Sequence, residues 1–285
     1  MALRRAGRRV HTIVIESRIS RALIGAPALA LTGAAFLFGG TGPAAAADPG
    51  EPRLEGSFSM SGTVTRAKNV RGEKKGQKVK RTWSFAGSCT GGPCDTVILK
   101  RGRGGGQTDR VVLHRQSAGK YSGNGRFFFR IRCAGRVEKK GGEARYKVAV
   151  RVTQATDVQG KPFASALVAT YDNGKRINHT QCHGGLGSDA ARYTGQLKAA
   201  PTPPTADFTS TPSGATTRSF TDKSSKGSAP IVAWAWDFGD PASGSSNTSS
   251  TENPSHTFVT PGPHTVTLTV TDHNGLTDMV SHVVP

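Results

Sequence analysis

Apolar and polar residues alternate through most of the stretch from 54 to 198. Phe58, Met60 and Val64 share one parity, and Val79, Trp83 and Phe85 share one in the next run. In GRFFFRIRC, Phe127, Phe129, Ile131 and Cys133 fall on one face, while Arg126, Phe128, Arg130 and Arg132 fall on the other. Tyr146, Val148, Val150 and Val152 likewise oppose Arg145, Lys147 and Arg151. A period of two means strands with one face in a core and the other in water. The turn-forming groups GGP, GRGGG, SAG, KKGG, VQG and DNG separate these runs at hairpin spacing. The pattern predicts eight strands, near 55–66, 78–88, 95–102, 109–115, 121–133, 144–156, 163–172 and 191–197. The fold class is therefore all-β, an antiparallel β-barrel or sandwich, and eight strands suffice to close a small barrel.

Between Leu197 and Asp207 the proline-rich KAAPTPPTA favours extended backbone and cannot continue a strand ladder. It is taken as a linker over 199–205. Beyond it, Trp234 and Trp236 alternate with alanines, and Phe238 follows at the same parity. Val266, Leu268 and Val270 alternate with Thr265, Thr267, Thr269 and Thr271, which suit exposed sheet positions. Such strands build a small sandwich core. Asp237 and Asp240 flank Gly239, where turn-forming carboxylates that accept backbone N–H bonds are the ordinary explanation and a calcium or acid-pair site the alternative. For Trp234, core burial is set against a sugar or protein contact.

The motifs of this last segment are PTADFTSTP at 204–212, SFTDKSSKGSAPIVAWAWDFGD at 219–240, NPSHTFVTPGPHTVTLTVTDHNG at 253–275, and a closing TDMVSHVV. Together they resemble the PKD domain, an immunoglobulin-like module frequent in bacterial secreted proteins. The resemblance covers 204–285 and implies an Ig-like β-sandwich over 206–285 used for binding or spacing rather than catalysis. Pro241 departs from the pattern, where the family usually continues with glycine, and an expanded serine loop follows at 243–250. The basic segment 54–198 resembles no family.

Charge sharpens the division. The 285 residues carry a formal +19, but the parts are unequal: +5 over 1–47, +18 over 48–200 and −4 over 201–285. The middle therefore faces an anionic partner. Residues 1–47 read as an export signal. Arg4, Arg5, Arg8, Arg9, Arg18 and Arg21 precede the uncharged Ala22–Ala47, which ends in four alanines before Asp48. Pro27, Pro43 and the glycines of that stretch make it a poor membrane anchor, so no stable span is expected after cleavage, and the protein is expected to be secreted or held at the cell surface.

Export gives the four cysteines meaning, because disulfides persist outside the cytosol. Three pairings are open; we favour Cys89 with Cys94, closing the turn SCTGGPC, and Cys133 with Cys182. His179, Cys182 and His183 cluster in HTQCH, but the spacing of zinc modules is not met as a set, so neither a metal nor another cofactor is expected.

No G-x-S-x-G, H-E-x-x-H or supported Cys-His set occurs, and no catalytic residue is assigned. The stretch 66–81 instead holds Arg66, Lys68, Arg71, Lys74, Lys75, Lys78, Lys80 and Arg81 against Glu73 alone. Lys100, Arg101 and Arg103 sit by a second glycine-rich turn, and Arg126, Arg130 and Arg132 decorate the outer face of a strand. Such fields gather polyanions, with solubility and the blunting of strand edges as the ordinary alternatives. The stretch 66–81 contains no aromatic for base stacking, so an anionic cell-wall polymer or extracellular polysaccharide ranks above nucleic acid. The expectation is a secreted, non-catalytic binding protein; the alternative is a secreted hydrolase, or an accessory to one, with its site in the middle domain.

Overall fold

The alternating pattern folds into two sheet bodies. The computed structural model describes residues 50–285 apart from 71, 104–105 and 183–185, and of Lys175 the backbone alone. The export signal read over 1–47, with Arg71 and His183, lies outside the described residues.

Eight strands form the first body: β1 (Gly56–Lys68), β2 (Lys78–Gly87), β3 (Thr96–Gly102), β4 (Thr108–Ser117), β5 (Lys120–Cys133), β6 (Arg136–Val158), β7 (Lys161–Asn178) and β8 (Ser188–Leu197). Each pairs antiparallel with the next, and β1 pairs with β8, so the sheet closes into a barrel. Closure removes every edge strand, which period-two patterning alone could not distinguish from a sandwich. Phe58, Met60, Trp83, Phe85, Tyr146, Val148 and Val150, which the alternation marked, share one buried cluster with Val97 and Leu99 of β3.

Two glycine groups read as turns are interior to strands. KKGG lies within β6, and the chain reverses earlier, at Ala134–Gly135. Gly141 and Gly142 are needed there for close approach, because a Cβ on Gly142 would enter the Phe129 ring and one on Gly141 would meet Ile131 and Thr180. DNG lies within β7, where Asn173 points inward and donates to Asp189 Oδ1 at 2.7 Å.

Both cysteine pairs are joined, Cys89 to Cys94 and Cys133 to Cys182. The second ties the far end of β5 to the β7–β8 connection.

Alternation along the barrel strands sorts the connections into two ends. The mouth carries the β1–β2, β3–β4, β5–β6 and β7–β8 connections. The base carries the start of β1, the Cys89–Cys94 turn and the β4–β5 and β6–β7 hairpins.

The second body has two sheets. One orders β13 (Ser255–Thr257), β10 (Thr217–Asp222) and β9 (Phe208–Pro212); the other orders β12 (Thr248–Ser249), β11 (Ile231–Asp237), β14 (His264–Asp272) and β15 (Thr277–Val284). Phe208, Phe220, Trp236, Phe238, Phe258, Val266, Leu268 and Val270 fill the space between them. The departure at Pro241 is a turn of 3-10 helix, Pro241–Asn247. Segment 199–205 is not a free spacer: Thr202 and Ser228 exchange bonds, with Thr202 N to Ser228 Oγ at 2.8 Å and Ser228 N to Thr202 O at 3.0 Å. Its prolines cannot continue a ladder, but Thr202 and Thr205 tie it to Ser228 and Ser225 of the second body. The described residues of both bodies belong to one compact unit.

Candidate functional site

The long, glycine-broken β1–β2 connection and the extended β5–β6 arm bring two groups of basic side chains to the mouth, while Lys147 and Arg192 are exposed on the wall and Lys120, Arg151 and Lys198 toward the base. Lys68, Lys74, Lys75, Lys78 and Lys80 are exposed, and Lys78 Nζ donates to Thr63 Oγ1 at 2.9 Å. Arg66 is engaged along the wall, 2.5 Å from Asp172 Oδ1 and 3.2 Å from Ser188 Oγ. Arg126, Arg130 and Arg132 are exposed on β5, with Phe128 between them. Lys140 Nζ lies 5.6 Å from the centre of the Phe128 ring. In an eight-strand ring β5 stands across from β1, so the two basic groups occupy opposite arcs of one rim rather than one continuous face.

Two arginines read as surface charges turn inward. Arg81 shares the parity of Val79 and Trp83, and it lines the cavity in the mouth. Arg101 shares that of Val97 and Leu99 and is 4% exposed. Its guanidinium sits 4.4 Å from the Tyr146 ring centre and 4.1 Å from that of Tyr171, the geometry of a cation over aromatic faces. It donates to Asp109 Oδ2 at 2.6 Å, which also accepts from the Tyr146 hydroxyl at 3.0 Å, while Arg103 lies 2.7 Å from Asp109 Oδ1. Burial pushes the Tyr146 and Tyr171 hydroxyls well above their ordinary value, so both stay neutral. Two further carboxylates reach the mouth, Glu73 and Asp189. Asp189 is committed to Asn173 and to Arg176, the latter at 2.5 Å. Cys182 is consumed by its disulfide, which removes it from any metal set.

The base is closed by Arg53, which is 2% exposed and was not singled out by the sequence pattern. It donates to the carbonyls of Cys89, Gly91 and Gly92 at 2.9–3.0 Å, and across to Asn274 Oδ1 at 3.2 Å and His273 O at 3.4 Å. Gly91 N to His273 O, His273 Nε2 to Gly87 O and a reciprocal Gln159–Thr277 pair complete the junction of barrel and sandwich. Burial lowers the pKa of Arg53 and raises that of Glu55, 3.4 Å away.

In the sandwich, Trp236 is core and Trp234 half-buried, with its indole Nε1 donating to Asp222 Oδ2 at 2.9 Å. Asp237 accepts from Gly239 N and Asn247 Nδ2, both at 2.9 Å. Asp240 accepts from Val259 N and His256 Nε2, both at 3.0 Å. These are turn-fixing carboxylates rather than an acid pair. At Asp240, burial alone would raise the pKa, but the bonds from Val259 and His256 and the nearby histidine charge outweigh it and hold the carboxyl below its ordinary value. A depressed carboxyl contributes stability above its unfolded pKa of about 3.9, lost as pH falls through the folded value. Melting curves taken across acidic pH should therefore show a steeper loss in the parent than in Asp240→Asn; parallel curves would refute the assignment.

Among the described residues no helix is long and apolar enough to cross a membrane. The two disulfides suit an extracellular setting. Comparison with known proteins places a match to the PKD domain family at residues 198–284. Among solved structures, the PKD1 domain of Vibrio anguillarum Epp is 30% identical, with 30% of this chain and 94% of that one covered at a TM-score of 0.27. The PKD1 domain from the Vibrio cholerae metalloprotease PrtV is also 30% identical, with 29% and 95% covered at a TM-score of 0.26. No curated protein matches the chain.

Proposed function

Residues 198–284 belong to the PKD domain family, and from that premise we propose that the chain is a secreted, non-catalytic binding protein whose barrel adheres to an anionic cell-wall polymer or extracellular polysaccharide. The observation that carries this reading is the placement of exposed lysines and arginines around one barrel end, while the PKD domain docks at the other. The cationic rim is thereby left free of the mildly acidic module. The PKD domain then acts as a spacer or as a second weak contact, and two linked weak sites gain avidity without new chemistry.

Exposed charges are screened over about 10 Å at 0.1 M salt and 3 Å at 1 M. The full chain should therefore be retained on purified anionic wall polymer at 50 mM salt and released as salt approaches roughly 1 M. Each exposed ion contact is worth about 0.2–1 kcal/mol, so neutralising Lys74, Lys75, Lys78 and Lys80 to glutamine should weaken retention on the order of tenfold. Retention indifferent to both salt and these substitutions would overturn the reading.

A further inference from the structure

The barrel mouth encloses a cavity of about 400 Å³ that polymer adhesion does not use. Its size lies within the ordinary range for small-molecule sites. The walls combine two chemistries. Val64, Val79, Phe127, Phe129 and Tyr193 make an apolar and aromatic surface, and Arg81, Arg101, Arg103 and Arg176 bring four guanidinium groups to it.

Internal ion pairing does not exhaust those cations. Asp109 serves Arg101 and Arg103, Asp189 serves Arg176, and Glu73 is the third carboxylate, so four positive groups meet three negative ones. The buried Nε of Arg101 and that of Arg176 find no acceptor among the described residues. A guanidinium carries five N–H donors, and leaving a buried donor unmet is costly. Much of the remaining guanidinium surface is spread on rings: Arg103 lies 4.1 Å from the centre of Phe127 and Arg176 5.3 Å from that of Phe129. Donors held in place against apolar walls suit a partner that supplies acceptor oxygens at one end and apolar surface at the other.

We propose that the barrel mouth is a binding site for a small organic anion, with one carboxylate or phosphate group set among Arg101, Arg103 and Arg176 and an apolar or aromatic body against Phe127, Phe129 and Tyr193. Glu73 reaches the same cavity from the β1–β2 connection, and its like charge opposes such a ligand. Removing it should therefore tighten binding, whereas removing Arg176 should loosen it. The opposite signs separate a binding effect from damage to the fold.

The test is calorimetric titration of the full chain with naphthalene-2-carboxylate and with dodecanoate, each compared with its neutral alcohol, and with inorganic phosphate. At least one carboxylate is expected to bind with a Kd on the order of 10–100 µM, a range reasonable for a ligand of about a dozen heavy atoms. The matching alcohol should bind at least about tenfold more weakly. Glu73→Gln should tighten the carboxylate by about threefold and Arg176→Gln should weaken it by about tenfold, as expected for charges acting at close range. A preference for the aromatic or for the aliphatic acid identifies the body of the ligand, and either supports the site. Equal binding of acid and alcohol, inorganic phosphate binding as tightly as the acids, no binding by either acid up to 1 mM (about −4 kcal/mol), or the same direction of change in both variants would overturn it.

Discussion

Replacing Arg53 by alanine is expected to lower the melting temperature of the chain by roughly 6–20 °C and to split one unfolding transition into two. The side chain is a buried cation with carbonyl acceptors from the Cys89–Cys94 turn on one side and Asn274 and His273 on the other. Truncation removes the charge that faces Glu55 and strips several part-buried carbonyls of their donor at once. Breaking a buried, hydrogen-bonded pair by deleting one partner costs about 3–5 kcal/mol. The remaining ties at this junction, Gly91 with His273, His273 with Gly87 and Gln159 with Thr277, are few, so barrel and PKD domain should then unfold separately. Differential scanning calorimetry decides it. A single transition displaced by under about 2 °C would mean that Arg53 is incidental to the junction.

Trp236→Ala should have a comparable effect confined to the PKD domain. The indole is 2% exposed and lies 5.0 Å from the Phe208 ring and 5.5 Å from that of Phe220, with Nε1 donating to Thr251 O at 2.9 Å. Removing a buried tryptophan costs about 3–5 kcal/mol. A domain of this length has about 4–13 kcal/mol in all at 0.05–0.15 kcal/mol per residue. Its transition should fall by more than about 12 °C, while the barrel, followed by the emission of Trp83, melts as a separate later step. Trp234→Ala should do much less, because that ring is half-buried and held chiefly by Asp222. Equal losses from the two tryptophans would contradict the packing described.

Much of this architecture was legible beforehand where local pattern controls it. The eight strands and the inward row Tyr146, Val148 and Val150 follow from alternation, and WDFGD with PSHTF marked the second domain. Closure was not legible, since the β1–β8 contact joins the two ends of the barrel sequence and leaves no local trace. The glycines of KKGG misled because glycine serves a close approach, here to Phe129, as readily as a turn, and DNG misled because Asn173 is an inward side chain of β7 rather than a turn former. Arg101 was misplaced because its charge was allowed to outweigh its parity. It lies in step with Val97 and Leu99, so the alternation did contain the signal for an interior cation. Arg53 offered no such signal: what makes it structural is a set of acceptors contributed by turns distant in the chain.

The closed ring of hydrogen bonds from β1 around to β8 has a mechanical corollary. A strand paired on both sides cannot fray outward without breaking two ladders, so a pull on the barrel wall is shared by its neighbours, whereas β5 beyond Ser122 is held by β6 alone. The PKD sheets, whose outer strands are held on one side only, are the part that gives way first.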